Sequence, residues 1–195
     1  MVTVGVTGGI GSGKSHLCRV WETMGAEVVY ADPLAKELMV SDSGLKQAIT
    51  DRFGPKSYLK NGSLNREWLA AEAFGKGRSA ELNSLVHPAV NRAVLRKMED
   101  AKAAGSALFV EEAALLLLGG RPRGFDYILV VTAPVQMRIR RVTDRDGWTP
   151  SEVEDRISTQ QSDEEMIRMA DLVLENDSDV NTFEERAKAL FRVLT

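Results

Sequence analysis

The chain opens on a short apolar run, Val2-Thr3-Val4-Gly5-Val6, followed at once by a glycine-rich stretch. A β-branched run of that length, bounded by a turn signal, predicts a strand covered on both faces, as in a parallel sheet. Leu17, Val20, Trp21 and Met24 then recur at helical spacing, and Gly25 predicts the stop. Apolar runs at 26–30, 106–111, 127–132 and 171–174 predict four further strands. Strand and helix alternate over the first thirty residues and again after Gly105, which predicts an α/β fold: a five-stranded parallel sheet flanked by helices.

Between these halves the pattern is mostly helical. Phe53-Gly54-Pro55 and Lys60-Asn61-Gly62-Ser63 mark turns, and the spacing predicts helices over 66–74, 80–85 and 88–103. The middle of the chain therefore reads as a helical insertion in a sheet domain. A helical hairpin is expected over 134–170, with Thr149-Pro150-Ser151-Glu152 as a capping box that restarts the helix after the Asp146-Gly147 turn. No internal repeat or low-complexity tract interrupts the pattern.

Composition narrows the class without naming a function. The chain has 195 residues, 44% hydrophobic and 27% charged, enough for one core with inserted subdomains. Twenty-five basic against 28 acidic side chains leave a net charge of −3, so no nucleic-acid partner is expected. The single cysteine, Cys18, has no disulfide mate within the chain, and beside Leu17 on a helix it reads as a buried thiol suited to a reducing cytoplasmic setting. The longest apolar run, 113–118, is too short to cross a bilayer, and no signal sequence precedes the first strand, so no membrane partner is expected.

Candidate chemistry begins at Gly8-Gly9-Ile10-Gly11-Ser12-Gly13-Lys14-Ser15, a complete G-x-x-x-x-G-K-[ST] phosphate-binding loop set between strand and helix. Its glycines leave the backbone free to curl with N–H groups inward, and the following helix adds its positive end to the same anion site. Lys14 is placed to reach the β- and γ-phosphates of a nucleoside triphosphate, and the Ser15 hydroxyl to complete the shell of a Mg²⁺ ion. His16, on the first turn of that helix, has two readings: a phosphate contact or a packed imidazole.

Two further constellations accompany the loop. In Tyr30-Ala31-Asp32-Pro33-Leu34-Ala35, Asp32 follows the second strand, where a carboxylate would orient an attacking hydroxyl. Asp before Pro is equally the pattern of a helix N-cap. Arg138, Arg141 and Arg145 share one helical face and would close over a transferring phosphoryl group as a lid, while Asp144 and Asp146 offer the alternative of local pairing on a solvated face. Two histidines and one cysteine cannot furnish a typical zinc site, and no Gly-x-Ser-x-Gly elbow occurs.

Taken together, 4–15 with its phosphate loop, Ala31-Asp32-Pro33-Leu34-Ala35, Leu85-Val86-His87-Pro88, Arg141-x-x-x-Arg145-Asp146-Gly147, Arg156-Ile157-x-x-Gln160 and Ala170-Asp171-Leu172-Val173-Leu174-x-Asn176 resemble the dephospho-coenzyme A kinase family nearly end to end. The resemblance implies a P-loop kinase fold in three parts: a nucleotide-binding core of 1–32, 105–133 and 170–195, a helical acceptor domain of 33–104, and a lid of 134–169. It implies ATP-dependent phosphorylation of the ribose 3′-hydroxyl of dephospho-coenzyme A, with Mg²⁺ and with these two small molecules as the only partners besides a monomeric or small homo-oligomeric state. Asp32, Lys14 and Arg141 become the catalytic set. Gly9, Gly11, Ser12, Gly13, Lys14, Ser15, His16, Arg145 and Asn176 fall in the ATP site, and Asp32, His87 and Glu112 at the acceptor, Glu112 also holding a Mg²⁺-bound water. A nucleoside monophosphate kinase is the alternative, and a P-loop ATPase or GTPase switch module a more distant one, lacking the Asn-Lys-x-Asp guanine signature.

The chain departs from the family at four places. Tyr30 and His16 replace an aspartate and a threonine, Arg138 replaces the glutamine of the lid helix, and Leu118 stands where Glu112-Ala113-Ala114-Leu115-Leu116-Leu117 is ordinarily followed by glutamate.

Overall fold

The computed structural model describes residues 1–195, the side chain of Phe74 excepted. Its elements run β1 (Val2–Thr7), α1 (Lys14–Thr23), β2 (Glu27–Tyr30), α2 (Ala31–Ser41), α3 (Ser43–Phe53), α4 (Arg66–Ala70), α5 (Ser79–Ala103), β3 (Leu108–Glu112), β4 (Tyr127–Thr132), α6 (Val135–Asp146), α7 (Pro150–Ser158), α8 (Asp163–Ile167), β5 (Leu172–Glu175) and α9 (Val180–Leu194). The five strands form one parallel sheet of order β2-β3-β1-β4-β5, within which Val4 pairs with Val110 and with Tyr127, and Val130 with Val173. Each expected strand is present, its ends shifted by no more than a couple of residues; β1, β3 and β4 are buried runs with no competing helical period, whereas the edge strands β2 and β5 are only partly covered.

Two compact units result, residues 1–29 with 99–195, and residues 30–98. In the first, β1 sits at the centre of the sheet, with Val4, Val6, Val110, Leu129 and Val131 fully buried. Helix α1 packs on α9, where the Trp21 indole N–H donates to the Ala187 carbonyl at 2.8 Å and its ring meets Phe191 edge-on. Burial of rings this large dominates the local packing.

The second unit is helical, as expected, but its boundaries differ. The helices expected at 80–85 and 88–103 are one helix, α5, with Pro88 inside it. Proline removes one ladder hydrogen bond, yet Leu82, Val86, Ala89, Val90, Ala93 and Val94 are all buried, and that continuous apolar stripe outweighs the local loss. Likewise the α-helix expected over 66–74 ends at Ala70 and continues as a π-turn, Ala71–Gly75.

The expected hairpin of 134–170 is three helices rather than two. Thr149 and Glu152 form the capping box of α7, with Pro150 in its first turn, and a second box, Ser162 with Glu165, starts α8. Among the described residues no helix is long and apolar enough to cross a membrane, and no cluster of three or more His, Cys, Asp or Glu side chains is disposed to hold a metal ion.

Candidate active site

The loop between β1 and α1 is shaped by backbone conformation first. Gly13 has φ +110° and serves as the N-cap of α1, a left-handed geometry that disfavours any side chain. Space imposes the same choice, since a Cβ on Gly13 would run into the Asn176 amide. Within the curl the Ser12 hydroxyl is buried with no hydrogen-bond partner among the described residues. An orphaned donor at the mouth of a helix N-terminus is what an anion site requires. The Lys14 ammonium is buried beside it and donates to the Gly9 carbonyl at 3.1 Å.

The Ser15 hydroxyl lies 3.4 Å from Glu112 Oε2, bringing the first turn of α1 to the carboxyl end of β3. These are hard oxygen donors of the kind Mg²⁺ takes, so the pair fits the ion expected there. Cys18, one turn further, is buried, and desolvation together with the nearby Glu112 charge pushes its thiol well above the ordinary range. It is therefore inert as a nucleophile.

The side chains outside the loop hold its carbonyls. Asn176, just past β5, donates from Nδ2 to the Ser12 carbonyl at 2.8 Å and accepts from Arg141 Nη2 at 2.9 Å. Arg141 also reaches the Asn176 carbonyl at 3.2 Å and the Gly11 carbonyl at 3.5 Å, and its partial burial lowers its proton affinity from the ordinary value. The structure thus brings Gly11, Ser12, Gly13, Lys14, Ser15, Glu112, Arg141 and Asn176 together.

Other expected site residues are engaged elsewhere. His16 faces α9, with Nε2 3.0 Å from Glu184 Oε1 and its ring against Phe183. Arg145 pairs with Asp146 through Nε at 2.8 Å and Nη2 at 2.6 Å, and this hydrogen-bonded partner raises its proton affinity. Arg140 lies 3.7 Å from Asp144 on the solvated side. Asp32 and His87 belong to the helical unit. The cap of α2 is Tyr30, and Asp32 is an exposed residue of the first turn, so the N-cap reading of Asp32 does not hold. His87 is an exposed residue inside α5 rather than turn punctuation before a helix, because α5 continues through Pro88.

Sequence reasoning missed two contacts on the loop. Gln160 Oε1 accepts from the Ile10 N–H at 2.8 Å, and Arg138, expected on the arginine face of the lid or on a solvated face, is only 3% exposed and donates from Nε to the Ile10 carbonyl at 2.9 Å. The signal available was the common helical face of Arg138 and Arg141 and the recurrence of Gln160 in the family pattern. Beside Gly8 and Gly9 a cavity of about 120 Å³ is lined by Leu115, Leu118, Gln160 and Met166 among others, and Leu118, 59% exposed, gives it an apolar wall where the family carries glutamate. The helical unit carries its own groove of about 580 Å³, bordered by Lys46, Tyr58 and Lys60.

A parallel sheet with a phosphate loop at the end of its central strand, braced by an arginine-bearing helix, defines a P-loop kinase. Shikimate kinase from Acinetobacter baumannii shares this fold, with a TM-score of 0.57 at 16% identity, covering 100% of this chain and 93% of that one. The chain belongs to the dephospho-CoA kinase family, whose model matches residues 2–182. It is similar to the dephospho-CoA kinase of Salinibacter ruber, 42% identical over 196 residues that cover 100% of this chain and 98% of the relative. A crystal structure of a Thermus thermophilus protein matches with a TM-score of 0.79 and 32% identity, covering 100% of this chain and 98% of that one.

Proposed function

We propose that this kinase transfers the γ-phosphoryl group of ATP to the ribose 3′-hydroxyl of dephospho-coenzyme A, giving coenzyme A and ADP. The observation that carries the reading is the phosphate loop itself: a buried, unpartnered Ser12 hydroxyl beside the buried Lys14 ammonium at the N-terminus of α1, in a chain of this family. Phosphoryl transfer asks a protein for position and charge rather than covalent help. Lys14 neutralises the β- and γ-phosphates, Arg141 offsets charge that develops on the transferred group, and Asp32, just past the carboxyl end of β2, orients the 3′-hydroxyl and accepts its proton.

Ser15, and Glu112 through water, would hold Mg²⁺, which when bound supplies charge neutralisation between the two terminal phosphates. Gly9, Gly11, Ser12 and Gly13 line the triphosphate, and Arg145 joins them on leaving Asp146. Asn176 serves by bracing the Ser12 carbonyl, and His16, held by Glu184, is left out of the set. The helical unit, with His87, receives the acceptor, and 134–169 act as the lid. A monomer or small homo-oligomer working in the cytoplasm suits these small-molecule partners.

A coupled assay of ADP release separates the readings. Turnover is expected with dephospho-coenzyme A and not with AMP, UMP or buffer alone. Transfer to AMP or UMP would make the protein a nucleoside monophosphate kinase, and equal ADP release without acceptor would make it an ATPase module.

A further inference from the structure

The Gly9-Ile10 segment of the phosphate loop takes several of its contacts from residues between 138 and 163. The Ile10 side chain packs with Ile139, Val142, Val153 and Ile157 of α6 and α7. Its N–H is taken by Gln160 and its carbonyl by Arg138 Nε. The Arg138 guanidinium is in turn fixed by Asp163, whose two carboxylate oxygens lie 3.2 and 3.3 Å from Nη1. It lies so close over Gly9 that a Cβ there would collide with Nη2, Cζ and Nη1. Gly9 itself is not in the left-handed region, so its backbone does not bar alanine, and the three nearest atoms that a Cβ would meet all belong to the guanidinium.

We infer that Arg138 is a positioning residue for nucleotide binding, holding the outer carbonyl of the phosphate loop away from the triphosphate and fastening the loop to α6 and α8. A charge-assisted hydrogen bond to a buried carbonyl is among the stronger neutral-to-ion contacts, and the planar fork lets one side chain serve Ile10 and Asp163 at once. Because the loop is pre-shaped in this way, the inward N–H groups need not be reorganised when phosphate arrives. The function absorbs Arg141 as a contact of the reacting group, whereas Arg138 works through Ile10. The inference rests on the chain being an ATP-dependent kinase, but nucleotide titration reads it without any acceptor.

The experiment is a cycle of Gly9→Ala, Arg138→Met and the pair, each read by calorimetric titration with a magnesium complex of a non-hydrolysable ATP analogue and by steady-state kinetics. Methionine keeps the buried stem and removes the fork. Arg138→Met is expected to weaken analogue binding and raise KM for ATP by about 10-fold, with KM for dephospho-coenzyme A unchanged. A merely structural role would lower the active fraction, and therefore kcat, while leaving both KM values alone. Gly9→Ala is expected to weaken binding by at least as much in the parent, yet to add little in the Arg138→Met background, where the obstruction is gone. Should the two substitutions prove additive, or should Arg138→Met leave analogue affinity intact, the inference is overturned. Should Arg138→Met fail to fold, Asp163→Asn replaces it, and unchanged analogue affinity in that variant overturns the inference too. Loss of acceptor turnover in the parent itself would strike the proposed function and leave these binding outcomes readable.

Discussion

Two carboxylates show how residue-scale surroundings divide roles. Asp32 is exposed in the first turn of α2, capped by Tyr30, so its carboxylate is spent on no cap hydrogen bond and is available to an acceptor. Asp32→Asn is expected to reduce kcat by about 100-fold or more while KM for ATP stays within a few-fold, a split that steady-state kinetics would resolve. Glu111 is the opposite case. It is buried in β3, in register with Gly5, whose Cα side is packed by Leu116 and Ile128, and desolvation pushes its carboxyl from 4.5 up to about 7. Between those two values the folded protein keeps a proton that the unfolded chain has lost. Stability contributed by the neutral carboxyl is therefore full below pH 4.5 and falls as pH rises towards 7, by about 1.4 kcal/mol for each pH unit. Glu111→Gln, neutral throughout, is expected to be more stable than the parent at pH 8 than at pH 4.5, the two offsets differing by about 3 kcal/mol. Equal offsets in thermal melts at the two pH values would show that the folded carboxyl is already ionised.

At the scale of elements, legibility followed burial. Strands covered on both faces were readable as apolar runs, and β4 falls at 127–132 as expected, because nothing but a buried strand suits such a run. Thr149 and Glu152 announced α7 for an equally local reason, and Ser162 and Glu165 carried the same signature for α8, unread beside it. Pro88 misled, since its local effect is to stop a helix, whereas here it is an exposed residue within α5, whose buried apolar stripe carries the helix through. That conflict has a measurable cost. The missing hydrogen bond and ring clash are worth about 3 kcal/mol against alanine, of which up to about 1 kcal/mol is offset by the stiffer unfolded chain. Pro88→Ala is expected to raise the unfolding midpoint by a few degrees, and a lowered midpoint in calorimetry would mean that the proline's stiffening of the unfolded chain outweighs the missing helix bond.

For the molecule as a whole, the motif residues of the phosphate loop could be recognised from eight consecutive positions, but the contacts that shape the loop could not. Arg138 and Ile10 are 128 residues apart, and Asn176 and Ser12 are 164 apart. No periodicity or local propensity encodes such pairs; they arise only when the parallel sheet brings the ends of β1, β4 and β5 side by side. This is why neither the burial of Arg138 on Ile10 nor the bond by which Asn176 props up Ser12 could be read from the chain.

The grip of α9 on α1, through Trp21 and Ala187 and through His16 and Glu184, has a consequence for synthesis. A ribosome makes the motif at 8–15 well before its trestle in 172–194. A nascent chain therefore carries the phosphate-binding letters long before it owns a receptacle for them, and a premature stop codon in the 170s would leave the letters without their scaffold.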